Sequence, residues 1–129
     1  MSKDDSSFRL LCVDDNASLL QTLALGFRAY GFEVATASHG IDALMQFKAY
    51  DGNFSAILTD TDMPEMNGPA LIKHLRALDY RGQVLVMSGH WTASSHLAYQ
   101  EVVVTGFLQK PFEIGMVATL LMQAHRNDA

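Results

Sequence analysis

The sequence predicts a three-layer α/β fold, a parallel five-stranded sheet wound with helices on both faces. Three observations carry this expectation. Five short apolar runs, at 8–13, 32–36, 55–59, 83–87 and 102–108, alternate with segments whose apolar residues recur at helical spacing. The runs are almost continuously apolar, the pattern of strands covered on both faces. At 129 residues, 49% of them hydrophobic and 18% charged, the chain is long enough for one core and globular in composition. Right-handed crossovers between parallel strands then leave the doubly wound arrangement as the simplest topology.

Taken in order, the first strand spans 8–13. The helix after it spans 17–30, with Leu19, Leu20, Leu23, Ala24 and Phe27 on one face and Gly31 as its stop. Strand two spans 32–36, and Ser38 is the expected N-cap of a helix over 41–50. Asp51-Gly52-Asn53 marks a turn into strand three at 55–59, and Pro69 suits the first turn of a helix reaching 78. Strand four covers 83–87. A weaker helix, poor in aliphatics and rich in Ser and His, covers 92–100. Strand five is expected at 102–108 and the last helix at 113–126. In that helix Ile114, Val117, Ala118 and Leu121 form a core stripe, while Met116 and Leu120 fall on a neighbouring face. That second face suits either cover for the edge strand or a partner. With no repeat or internal linker, the organisation expected is a short disordered tail (1–7), one domain (8–126) and a C-terminal tail (127–129).

Composition narrows the function. A net charge of −5 argues against nucleic-acid binding, which needs a clustered basic surface. The N-terminus lacks the apolar segment of a signal peptide, and no run is long enough to span a bilayer. A single cysteine forms no internal disulfide, which fits a reducing compartment; a cytoplasmic location is the expectation. Cys12 lies inside the first strand and reads as a small buried apolar residue. Histidines 39, 74, 90, 96 and 125 show no metal-ligand spacing, and His74, mid-helix, is expected to face solvent.

The chemistry gathers at the strand ends. Asp60 closes strand three and is followed at once by a Pro and Asn-Gly loop. Asp14-Asp15 closes strand one, Ser88-Gly89 strand four and Lys110 strand five. Open α/β sheets bind ligands at the carboxyl edges of their strands. Three carboxylates and an ammonium on one rim suit a divalent cation and a phosphoryl group.

These residues resemble the receiver domains of two-component response regulators, as found in chemotaxis-type single-domain regulators and hybrid kinases. The resemblance covers essentially the whole chain: Asp14-Asp15-Asn16, then Asp60 with Met63-Pro64 and Asn67-Gly68, Ser88-Gly89, and Lys110-Pro111-Phe112. Each part alone is common, whereas all four in order at strand ends are specific. The resemblance implies a flavodoxin-like strand order, 2-1-3-4-5. It makes Asp60 the nucleophile that takes a phosphoryl group from a histidine kinase or phosphotransfer protein. It implies Mg²⁺ (or Mn²⁺) held by the Asp15 and Asp60 side chains, by Asp14 through water and by the Asp62 backbone carbonyl. Lys110 and the Ser88 hydroxyl would bind phosphoryl oxygens. Phe107 takes the place of the family's aromatic switch, without the hydroxyl of the commoner tyrosine. The fourth helix, fifth strand and fifth helix form the expected output face, toward a downstream protein, an output domain or a second copy in a phosphorylation-dependent dimer; a monomer also fits. Lys110-Pro111 is expected cis. Catalysis is confined to the chain's own phosphorylation and slow autodephosphorylation, and Asp62 and His90, each two residues past a site residue, would flank the hydrolytic water.

Asp60-Thr61-Asp62 also resembles the Asp-x-Asp motif of haloacid-dehalogenase-type phosphatases. Against that reading, Pro64 stands where Thr or Val is expected, the acidic pair lies at the start of the chain, and there is no room for a cap domain. A pseudo-receiver that acts only by docking is disfavoured because every phosphorylation position is filled. The few residues after the last helix fit either a stand-alone receiver or a piece of a longer regulator.

Overall fold

The apolar runs become five parallel strands in a computed structural model that describes residues 8–128. They are β1 (Arg9–Val13), β2 (Glu33–Ala37), β3 (Ala56–Asp60), β4 (Gln83–Ser88) and β5 (Gly106–Gln109). Between and after them run α1 (Ala17–Ala29), α2 (Gly40–Ala49), α3 (Gly68–Ala77), α4 (Ala93–Leu97) and α5 (Ile114–Asp128). The sheet order is β2-β1-β3-β4-β5, as the resemblance implied. The expected N-terminal tail, 1–7, lies outside the described residues.

The sheet divides the core in two. On one face Leu11, Val13, Ile57, Val84 and Val86 pack with Leu71, Ile72 and Leu75 of α3 and Phe47 of α2. On the other Leu10, Cys12, Leu58 and Met87 pack with Leu20, Leu23 and Phe27 of α1 and Val117, Ala118 and Leu121 of α5. Successive strand residues point to opposite faces, so both faces need apolar cover and the runs are continuous. In the α5 stripe Val117, Ala118 and Leu121 are buried and Ile114 is half-buried against them, while Met116 and Leu120 are exposed. His74 is exposed too. Among the described residues no helix is long and apolar enough to cross a membrane.

Four local details differ from the sequence reading. The α2 cap is His39, not Ser38: its Nδ1 accepts the Asp42 N–H at 3.1 Å, and the Asp42 carboxylate accepts the Ser38 N–H at 3.2 Å. The imidazole thereby does the work usually left to a hydroxyl or carboxylate. Helix α4 is a five-residue turn and does not reach 100. The apolar run at 102–108 yields a strand only from Gly106, because Thr105 Oγ1 takes the Val84 N–H at 2.9 Å and the Arg76 guanidinium takes the Val103 carbonyl at 2.8 Å. Side chains thus occupy groups that a longer strand would need for its ladder. Finally, α5 runs on to Asp128, so two residues of the expected C-terminal tail are helical.

Candidate functional site

Strand register brings the predicted residues together. Val13 pairs with Thr59, Asp60 with Met87 and Ser88 with Gln109, so Asp14, Asp60, Ser88 and Lys110 share one rim of the sheet. Asp14 is 1% exposed, Asp60 7% and Ser88 5%. Buried carboxylates need partners. Lys110 supplies them: its Nζ lies 2.8 Å from Asp14 Oδ2 and 3.0 Å from Asp60 Oδ1. The other Asp14 oxygen accepts the Asn16 N–H at 2.9 Å, which turns the chain into α1, and the Asn16 side chain caps that helix at the Leu19 N–H. Asp15 is exposed beside them, and carboxylate oxygens of Asp14, Asp15 and Asp60 lie within 4.8 Å of one another.

The electrostatics follow from burial and this charge count. Desolvation raises the Asp60 pKa above the ordinary aspartate value; Lys110 opposes the rise and neighbouring Asp14 adds to it. For Lys110 burial favours the neutral amine, but the two carboxylates outweigh it and the pKa moves up. One ammonium among three carboxylates leaves the rim negative. Clustered hard oxygen donors with surplus negative charge are the donor set that Mg²⁺ requires, so the residues fit the ion implied by the resemblance.

The loops around this centre are latched to one another. The Lys110 N–H donates to the Ser88 carbonyl at 2.8 Å, and Gln109 Nε2 donates to the Gly89 and Lys110 carbonyls. The Lys110-Pro111 bond is cis, as expected. Ser88 Oγ accepts the His90 N–H at 3.0 Å, which uses a lone pair and leaves its own proton to donate. Asp62 and His90 are both exposed on the rim, and no hydrogen bond or ion pair joins them. Phe107 is 40% exposed and meets the rings of Trp91, His96 and Tyr99 at 5.0, 4.8 and 5.6 Å, all edge to face. Trp91 is pinned by its Nε1, which donates to the Leu108 carbonyl at 2.8 Å. Cys12 is fully buried and its thiol is pushed up to about 12, which fits an inert core residue.

Sequence reasoning missed one contact. The Tyr99 hydroxyl is hydrogen-bonded to Thr61 Oγ1, next to Asp60 in the chain, and both residues are buried. Burial pushes the Tyr99 phenol up to about 12. The only signal was a lone phenol in a stretch otherwise rich in Ser, Ala and His.

The sequence over residues 10–121 matches the model of the response regulator receiver domain. The chain belongs to this family. It is 37% identical over 107 residues to the transcriptional regulatory protein PrrA of Mycobacterium tuberculosis, a match that covers 83% of this chain and 45% of PrrA. To the transcriptional regulatory protein ZraR of Escherichia coli it is 32% identical over 124 residues, 93% of this chain and 28% of ZraR. The chain thus spans less than half the length of these two relatives. Among solved structures, the chemotaxis protein CheY4 of Vibrio cholerae superposes with a TM-score of 0.81 at 29% identity, over 91% of this chain and 98% of CheY4. This receiver therefore has the CheY-like flavodoxin fold, and family membership leaves the haloacid-dehalogenase reading without support.

Proposed function

We propose that this receiver is a phosphoacceptor in a two-component phosphorelay. One observation carries the reading: Lys110 bridges the buried Asp14 and Asp60 carboxylates at the carboxyl edge of the sheet. A lysine so placed holds Asp60 in a fixed rotamer and is already within reach of any group attached to it. The Asp60 carboxylate attacks the phosphorus of a phosphohistidine on a histidine kinase or phosphotransfer protein. A P–O bond forms as the P–N bond breaks, and the departing imidazole keeps the electron pair and takes up a proton. Lys110 follows the charge from the carboxylate to a phosphoryl oxygen, and the free Ser88 proton is donated to another. Mg²⁺ (or Mn²⁺), held by Asp15 and Asp60 with Asp14 and the Asp62 carbonyl in support, would neutralise charge on the transferring group.

Once Ser88 has a phosphoryl partner, the loop that it shares with His90 and Trp91 changes, and Phe107 repacks with it. The readout is the α4-β5-α5 face, where Leu97, Phe107, Met116 and Leu120 are exposed, toward a downstream protein or an output domain. The chain acts in the cytoplasm as a monomer or a phosphorylation-dependent dimer through that face, and its catalysis stops at its own phosphorylation and slow hydrolysis. Incubation with acetyl phosphate and Mg²⁺ tests the reading: intact-mass analysis should show one phosphoryl group per chain, mapped to Asp60. Phosphorylation elsewhere, or multiple turnover on small phosphate esters, would overturn it.

A further inference from the structure

The Tyr99–Thr61 contact joins the segment after α4 to the loop after β3. Thr61 is fixed on three sides. Its N–H donates to the Met87 carbonyl at 3.2 Å, its carbonyl accepts the Gly68 N–H at 2.8 Å, and its hydroxyl meets Tyr99. Gly68 belongs to the same arrangement: a Cβ there would collide with the Tyr99 hydroxyl and press on the Thr61 backbone. The glycine therefore clears the path by which the phenol reaches the site. Asp60 and Asp62 flank Thr61 in the chain, so a shift of Thr61 moves both. At its other end Tyr99 packs against Phe107 at 5.6 Å and Trp91 at 6.1 Å. The α4 helix has no buried residue of its own, which leaves Tyr99 as the buried attachment of this segment.

We propose that Tyr99 is a positioning residue for the phosphoacceptor, setting the Asp60-Thr61-Asp62 segment through the Thr61 hydroxyl and tying its geometry to the packing of Phe107 and Trp91. This route is separate from the one through Ser88, and it rests on the phosphoacceptor reading above. Coupling between two sites is reciprocal for equilibria. A change in the aromatic group that alters the hold on Thr61 alters how well a phosphoryl group is accommodated, and a bound phosphoryl mimic alters the aromatic group.

Tyr99→Phe deletes one hydroxyl and keeps the ring, so the fold is retained. With acetyl phosphate, phosphorylation of Asp60 should slow by about fivefold, the size expected for one lost orienting hydrogen bond. Beryllofluoride affinity, read by Trp91 fluorescence, should fall by a similar factor. Thr61→Val should act in the same direction, Thr61→Ser should restore near-normal rates, and Thr61→Val/Tyr99→Phe should be no worse than the poorer single variant. Normal rates and affinity in Tyr99→Phe, alongside an Asp60 that is phosphorylated normally in the parent chain, would overturn the positioning role and leave the phosphoacceptor reading intact. Additive effects in the double variant would also overturn it. A parent chain that takes no phosphoryl group at Asp60 would remove both.

Discussion

The centre and the edge of this sheet are built by opposite rules. All five residues of β3 are buried, and the strand delivers Asp60 between β1 and β4, each of which carries further site chemistry at its end. At the edge, β5 has no fully buried residue, α4 is a single turn, and the partly or fully exposed rings of Phe107, Trp91 and His96 gather over the buried Tyr99. Burial on both faces, with Lys110 as its partner, holds the Asp60 carboxylate in place. Half-exposure lets the neighbouring segment adopt more than one packing at small cost. A receiver needs both, and here they sit two strands apart and meet at Lys110, Ser88 and Tyr99.

The largest expected effect tests the centre. Asp60→Asn should abolish phosphoryl acceptance while the fold remains, as mass spectrometry and circular dichroism will show. The variant should also be more stable than the parent at neutral pH. Burial raises the Asp60 pKa in the folded state, so its ionised form costs stability once the pH is above the folded pKa, and the cost disappears below the ordinary value of 3.8. The gain in melting temperature should therefore shrink to nothing as the pH falls toward 3.8. A variant less stable at every pH would mean that the Lys110 bond outweighs desolvation.

Next in size is the metal. Asp15→Ala should weaken Mg²⁺ binding by about tenfold or more, because in the proposed site it removes a direct carboxylate ligand from a small set. Trp91, on the same rim, gives a fluorescence titration, and an unchanged affinity would contradict the assignment.

The edge is tested by beryllofluoride. Amide shifts should concentrate on α4, β5 and α5 and spare α2, which packs against β2 at the opposite edge of the sheet. Uniform shifts would break the division between a fixed centre and an adjustable edge.

The smallest effect concerns the life of the phosphorylated state. Asp62 is exposed two residues past Asp60, and in the proposed phosphoacceptor it would orient the attacking water more than repel it. Asp62→Ala should slow autodephosphorylation by about tenfold or less, roughly 1.4 kcal/mol of barrier. His90, which has no bond to Asp62, should have a weaker influence still. Faster decay in Asp62→Ala would show that repulsion dominates.

The centre was legible in the sequence and the edge was not, for a physical reason. An apolar run that stops at Asp60 or at Asp14-Asp15 states its own role, since burial and strand end are encoded side by side. Lys110 and Ser88 are readable in the same way. The shortened β5 depends instead on Arg76 reaching Val103 from another helix, and the Tyr99 contact on a hydroxyl 38 positions from Thr61. The His39 cap shows the same limit on a small scale, because an imidazole becomes an acceptor only once Asp42 is placed above it. Pairings made across the fold leave no periodic trace.

The five-residue length of α4 has a thermodynamic consequence. A helix this short does not sustain itself in water, since forming the first turn costs more than so few bonds return. Its order is borrowed from the Thr92–Ser95 capping box at one end and from Tyr99 at the other. A partner that lays a complementary surface along this segment and extends the helix would supply the missing order itself. Part of its binding free energy would then go into fixing backbone. Recognition of such a partner would be coupled to folding, and its affinity should fall more steeply with temperature than that of a rigid docking site.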